Sequence, residues 1–259
     1  MRLVPSQPSG KHARGRRARG SLSREEILAG AYEVVTQDGL TALSMPVLAR
    51  HLGAGVTSIY WYFRNKEDLL VALAERVTED VYSATPRMGS GRWDEELREY
   101  FLEFRRVLHR FPVYLELFSV RPRFVLTRQR IFPMALGRAE EEVTALVRAG
   151  LSTDSAARAY YACSVYTRGF ALLEEGVRRE TETADDTLQP SLVEAVDRLT
   201  PDAFPVLTAI GNVEVVTALD DERFISGLDL LLDGIRGEVA DASRAKAAPR
   251  RTPRRAKSD

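Results

Sequence analysis

Apolar residues recur every three or four positions along almost the whole chain. No stretch alternates apolar and polar residues for long enough to specify a strand. That periodicity predicts an all-α fold, with an N-terminal three-helix helix-turn-helix domain and a larger helical domain behind it. Breaks fall at Gly39, Gly53, residues 86–91, Pro112, Pro122, Gly150, Pro190, Pro201 and Pro205. The 259 residues leave room for one large domain or two small ones. No apolar run approaches the ~18 residues of a membrane span. The basic N-terminus is followed by no apolar segment, so a cytoplasmic protein is expected.

Composition narrows the chemistry. The one cysteine, Cys163, excludes an intrachain disulfide and a cysteine-built zinc site. His12, His51 and His109 stand far apart without metal-ligand spacing, so neither a metal nor a cofactor is expected. Lysine and arginine number 37, as do aspartate and glutamate, but the charges are unevenly placed. Residues 1–24 carry seven bases and no acid, and residues 244–259 carry seven bases and one acid. Two cationic tails, at 1–21 and 243–259, therefore flank an acidic body. They read as disordered, and as arms for a polyanion or simply for solvation.

Ser23 and Glu26 have the spacing of a capping box at the start of a first helix. Ile27, Leu28, Ala31, Val34 and Val35 form its apolar stripe, and Gly39 follows as its stop. Ser44 and Pro46 open a short second helix that Gly53 ends. A third runs over 56–63. Two short helices joined by a glycine turn make a helix-turn-helix unit. Ile59 and Phe63 suffice to anchor the third helix, yet Thr57, Ser58, Tyr60, Trp61 and Tyr62 crowd its remaining surface. Such a surface suits a DNA major groove, with hydroxyls and phenols on phosphates and small side chains on base edges. The plainer alternative is half-buried packing.

Residues 22–73 resemble the DNA-binding domain of the TetR family of bacterial transcriptional regulators. The likeness lies in LSREEILAGAYEVVTQDGLTALSM and LARHLGAGVTSIYWYFRNKEDLLVAL. It implies base-edge contacts from Val56, Thr57 and Ser58. It implies backbone contacts from Tyr60 and Tyr62, a helix-seating role for Trp61, and phosphate contacts from Ser44 and Lys66. Met45-Pro46 departs from the family, in which a polar residue or arginine is frequent there. Between 25 and 70 the acids outnumber the bases by six to three, a poor balance for phosphate binding. The arm that includes Arg17 and Arg19 is expected to supply the missing charge, in the minor groove.

A DNA-binding domain over 22–70 and a regulatory and dimerisation domain over 71–242 are expected. The body pattern predicts helices over 66–84, 93–111, 112–119, 126–149, 153–179 and 221–240, with a polar mobile segment over 180–189. The 153–179 and 221–240 helices carry apolar residues on more than one face, as expected of a homodimer that pairs them into a four-helix bundle. The resemblance implies the same dimer and a small-molecule effector. Candidate effector contacts are Phe101, Phe104, Arg105, His109, Tyr114, Phe118, Tyr161, Tyr166, Thr167 and Phe170. Arg105 and Thr167 are polar groups on apolar stripes and must find partners.

A homodimeric repressor, bound to a double-stranded DNA operator and released by a small molecule, is the leading reading. An enzyme lacks a visible nucleophile, base or metal constellation. A third reading is a helical small-molecule or protein-binding module without specific DNA binding, which the acidic headpiece favours.

Overall fold

The structure is a computed structural model, and it describes residues 22–88, 91–120, 131–183, 200, 202–209 and 218–247. Every regular element among these residues is helical. The arm residues Arg17 and Arg19, and the tail from 248 onward, lie outside the described residues.

Three short helices form the headpiece: α1 (Arg24–Asp38), α2 (Met45–Leu52) and α3 (Val56–Tyr60). The capping box forms as expected: Glu26 N–H donates to Ser23 Oγ at 3.1 Å, and Ser23 N–H to Glu26 Oε2 at 2.9 Å. Gly39 (φ 81°) and Gly53 (φ 63°) occupy the left-handed region that ends each helix without a steric penalty. Ile27, Leu43, Leu48, Ile59 and Leu69 close the headpiece core.

The long α4 (Lys66–Ala84) begins at Asn65, whose side chain caps Asp68 N–H at 2.8 Å. It packs on α1 at one end and on the body at the other. The body contains α5 (Trp93–Arg110), α6 (Pro112–Leu115), α7 (Ile131–Arg148), α8 (Thr153–Thr183), α9 (Pro205–Ala209) and α10 (Asp221–Ala247). The expected 112–119 helix divides: α6 passes into a π-helical turn over Glu116–Val120. Residues 126–130 of the expected 126–149 helix, and 184–189 of the polar segment, lie outside the described residues.

Three ion pairs strap α10 to α5. Arg236 Nε reaches Asp94 at 2.9 Å, Arg98 Nε reaches Asp229 at 2.7 Å, and Arg105 reaches Asp221 at 2.7 Å. Hydrogen bonds from Arg92 and Arg236 outweigh burial and hold Asp94 down at about 2.

Glu142 on α7 is the opposite case. It is fully buried, and neither carboxyl oxygen has a hydrogen-bond partner among the described residues. Burial pushes its pKa up to about 7, against the pull of Arg138. The folded protein thus keeps this proton to a higher pH than the unfolded chain, which titrates near 4.5. Stability should fall as pH rises from about 4.5 to about 7 and then level off. Glu142→Gln is expected to flatten that slope and to be more stable by about 2 kcal/mol at alkaline pH. Thermal melts across pH check this; parallel wild-type and variant profiles would contradict it.

Candidate nucleic-acid interface

The headpiece presents α3 as a ridge held from below. Ile59 is fully buried and Phe63 nearly so, and they anchor the helix. The Phe63 ring also carries the Arg24 guanidinium, 5.3 Å from its centroid. Above these anchors Thr57 is exposed, and Val56 and Ser58 are half-buried. The helix ends at Tyr60, with the chain carried on to Phe63 by hydrogen bonds to the Ile59 carbonyl. The expected span to Phe63 is therefore shortened by a closing turn. That turn splays three aromatics outward: Tyr60 is 47% exposed, Trp61 85% and Tyr62 46%. Exposure of this kind without a partner is uncommon in a monomer and marks an interaction surface.

Two other expected contacts flank this ridge. Ser44 is half-buried at the α2 N-terminus, where its Oγ accepts from Val47 N–H at 3.3 Å. Its side chain and the neighbouring orphan amides make an anion-favouring corner. Lys66 is half-buried in the first turn of α4. Tyr62 has a job that sequence did not show. Its hydroxyl donates to the Leu22 carbonyl, clipping the start of the headpiece to the turn that closes α3. That proton is committed, so a phosphate contact from Tyr62 must come from its ring or an accompanying water.

Two joints tie the headpiece to the body. The Tyr32 hydroxyl donates to the Arg110 carbonyl at 3.3 Å. Glu116, in the π-helical turn, accepts from Leu40 N–H at 2.6 Å and pairs with Arg179 of α8. Glu116 was not a sequence candidate. Its only prior signal is an acid inside the apolar run 111–118.

The ten candidate effector residues fall into three groups. Arg105, His109, Tyr166, Thr167 and Phe170 form a packed joint between α5, α8 and α10. Arg105 sits over Phe170 and Phe224, 5.3 and 4.7 Å from their centroids, and bonds Glu174 and Asp221. His109 meets Glu174 at 2.8 Å. Tyr166 stacks on Phe224 and donates to the carbonyls of Arg223 and Phe224. The Thr167 hydroxyl returns to the Cys163 carbonyl at 2.8 Å. Both polar groups flagged in the sequence therefore find partners within the protein.

Phe101, Phe104, Tyr114 and Phe118 form the second group. They lie deeper, where α4, α5, α6 and α8 meet, with Tyr114 and Phe118 stacked 4.0 Å apart. Sequence reasoning missed their polar neighbours Tyr82 and Arg168. For Arg168 the available signal was the one used for Arg105, a charge on an apolar flank. Tyr161 stands alone, 69% exposed on the outer face of α8. Cys163 is fully buried, and burial pushes its thiol up to about 11, so it is an inert packing residue.

Residues 27–73 match the family described as "Bacterial regulatory proteins, tetR family", and residues 85–239 match "Tetracyclin repressor-like, C-terminal domain". An HTH-type transcriptional repressor of Mycobacterium tuberculosis is 36% identical over 233 residues, covering 90% of this chain and 87% of its own. Among solved structures, Streptomyces coelicolor ActR in complex with actinorhodin superposes with a TM-score of 0.63. It is 26% identical, with 85% of this chain and 99% of that one covered. The apo form of ActR gives 0.62 at 25% identity, with 87% and 100% covered. These relatives are regulators rather than enzymes. The exposed recognition ridge, the helical body behind it and the two family matches lead to one conclusion: the chain belongs to the TetR family of DNA-binding transcriptional regulators.

Proposed function

We propose that the chain works as a homodimeric repressor that holds an operator through α2 and α3 and releases it when a small molecule occupies the body. The observation that carries the DNA reading is the exposed Tyr60-Trp61-Tyr62 ridge, fixed from beneath by Ile59 and Phe63. Val56, Thr57 and Ser58 reach base edges, while Tyr60, Trp61, Ser44 and Lys66 position the helix on phosphates. The Tyr62 clip starts the arm beside the recognition helix, so that Arg17 and Arg19 can enter the neighbouring minor groove.

The dimer forms through the outer faces of α8 and α10. Tyr161, Val165, Leu173 and Val177 lie exposed on α8, and Leu230 is 72% exposed on α10. Gly169, Gly176, Gly234 and Gly237 beside them have open space above, which lets a second copy approach closely. Two recognition helices so paired would read half-sites about 34 Å apart. Effector and DNA then oppose each other by an equal factor in each direction.

Fluorescence anisotropy tests the reading, using DNA from upstream of the chain's own gene against a scrambled duplex across a salt series. Specific, steeply salt-dependent binding is expected. Removing residues 1–20 takes away six bases and should flatten the slope by several units, at roughly 0.9 per phosphate neutralised. An unchanged slope would refute the role of the arm. Equal binding to both duplexes would favour the module without specific DNA binding, the reading that the acidic headpiece supports.

A further inference from the structure

Two buried groups of opposite charge stand one turn apart on α7 without bonding each other. Arg138 is 6% exposed and Glu142 is fully buried. Residues four apart share a helix face and lie within reach of one another. Yet the Arg138 Nε and both Glu142 carboxyl oxygens lack hydrogen-bond partners among the described residues. The other nitrogens of Arg138 are engaged elsewhere. Its Nη2 donates to the Thr85 and Pro86 carbonyls, at 3.0 and 2.6 Å, and its Nη1 to Glu141 at 3.1 Å.

Those two carbonyls belong to the end of α4. Thr85 caps the helix, its N–H bonded to the Val81 carbonyl at 2.9 Å. A carbonyl at a helix C-terminus has no partner inside its own helix. Arg138 supplies one from 53 positions away, and so straps this end of α4 to α7. The other end of α4 packs on α1 of the headpiece. The grip of the body on α4 therefore bears on how the headpiece is held.

An ionised carboxylate buried without hydrogen bonds is costly, so Glu142 tends to keep its proton. The groups around it pull both ways. Arg138 on its own helix and Arg87 in the α4–α5 connection favour the charge, while Glu141 beside it and Glu96 on α5 oppose it. Tyr100 of α5 and Tyr160 of α8 also feel Glu142, and burial keeps both phenols protonated. No charged group of α4 is among its main influences. With burial the largest influence, the pKa stands at about 7, and the proton comes and goes in the neutral range.

Once ionised, Glu142 needs a donor, and Arg138 Nε is an unused one on the same helix face. Turning the guanidinium toward Glu142 takes Nη2 off the two carbonyls. A hydrogen bond between two charged groups is stronger than one from the same guanidinium to a neutral carbonyl. Arg138 thus has two alternative sets of partners.

We propose that the proton on Glu142 is a switch on this strap: with it, Arg138 holds the end of α4 and the headpiece is kept ready for the operator; without it, Arg138 turns to Glu142 and the hold slackens. The inference rests on the operator-binding reading and adds a second input, pH, distinct from a small-molecule effector.

Two measurements test it, each comparing wild type with Glu142→Gln, which fixes the uncharged form. The first needs no DNA. Hydrogen exchange over residues 81–88, read by mass spectrometry, compares the two proteins at the same pH, so that the pH dependence of the exchange chemistry cancels. At pH 6 they should exchange alike, and at pH 8 the wild type should exchange at least about 5-fold faster. The second is operator anisotropy at fixed ionic strength. Between pH 6 and pH 8 the wild type should lose at least about 5-fold more affinity than Glu142→Gln, the low end of allosteric couplings. Other titrating groups are common to both proteins. Glu142→Leu, which cannot bond Arg138, should match Glu142→Gln in both measurements. Equal exchange of wild type and Glu142→Gln at pH 8 would overturn the switch. So would parallel affinity profiles, or a wild type that gains affinity over the variant as pH rises. A pH-dependent difference in exchange, in a protein that binds no specific DNA, would uphold the strap and refute the regulator reading.

Discussion

Thr57→Asp is expected to weaken operator binding by about 100-fold or more while leaving the melting temperature essentially unchanged. Thr57 is exposed in the first turn of α3, which the buried Ile59 anchors instead. A carboxylate in a helix's first turn interacts favourably with the orphan amides, so the substitution does not harm the fold. On the proposed reading the same carboxylate would face a groove lined by phosphates, forfeiting a base-edge contact worth about 1–3 kcal/mol and adding like-charge repulsion. Thr57→Ser gives the scale, since it keeps the hydroxyl and loses only a methyl. Anisotropy at one fixed salt concentration reads the loss, and a thermal melt of the same preparation shows the fold intact. A Thr57→Asp protein that holds its operator within threefold of wild type would remove α3 from the groove.

Features decided by neighbouring residues were legible in the sequence. Ser23 and Glu26 fix the start of α1 through bonds three residues apart, and Gly39 and Gly53 mark stops that need positive φ. The 66–84 span of α4 matches the expectation because Asn65 caps it and Pro86 follows. Helix ends without such punctuation ran long. Past 179, α8 continues to Thr183 over the Arg178–Glu182 pair, and α10 continues to Ala247 through a segment rich in alanine. Features decided by distant residues were not legible. Arg105 could be flagged as needing a partner, but Glu174 and Asp221 lie 69 and 116 positions away. The Tyr62 clip to Leu22 spans 40 residues, and the Glu116 bond to Leu40 spans 76. Nothing in the local pattern of Tyr82 or Arg168 says that folding brings them together. The exposed aromatics Tyr60, Trp61 and Tyr62 were readable because they are consecutive; the packing around Tyr114 was not, because α4, α5, α6 and α8 all supply it.

Arg105 carries the largest expected effect on stability. Its side chain is 10% exposed, and it joins three helices: it bonds Glu174 on α8 and Asp221 on α10, and faces the Phe170 and Phe224 rings. Removing it in Arg105→Ala affects the two carboxylates differently. Asp221 is 87% exposed and returns to water at little cost. Glu174 is 12% exposed and keeps only His109. Burial works to raise the Glu174 pKa, and the hydrogen bonds of His109 and Arg105 outweigh it. A buried carboxylate that loses its main partner costs about 3–5 kcal/mol, or on the order of 10 °C in a domain of this size. The double variant Arg105→Met with Glu174→Leu should recover much of that loss, since neither charge is then left unpaired. Additive losses in the double variant would show that the joint is held by the aromatic packing rather than by the ion pair. Because α8 and α10 also carry the exposed faces through which two copies would pair, the single variant should dissociate at a higher protein concentration than wild type. Analytical ultracentrifugation reads that shift, and the double variant should reverse it in step with the recovered melting temperature.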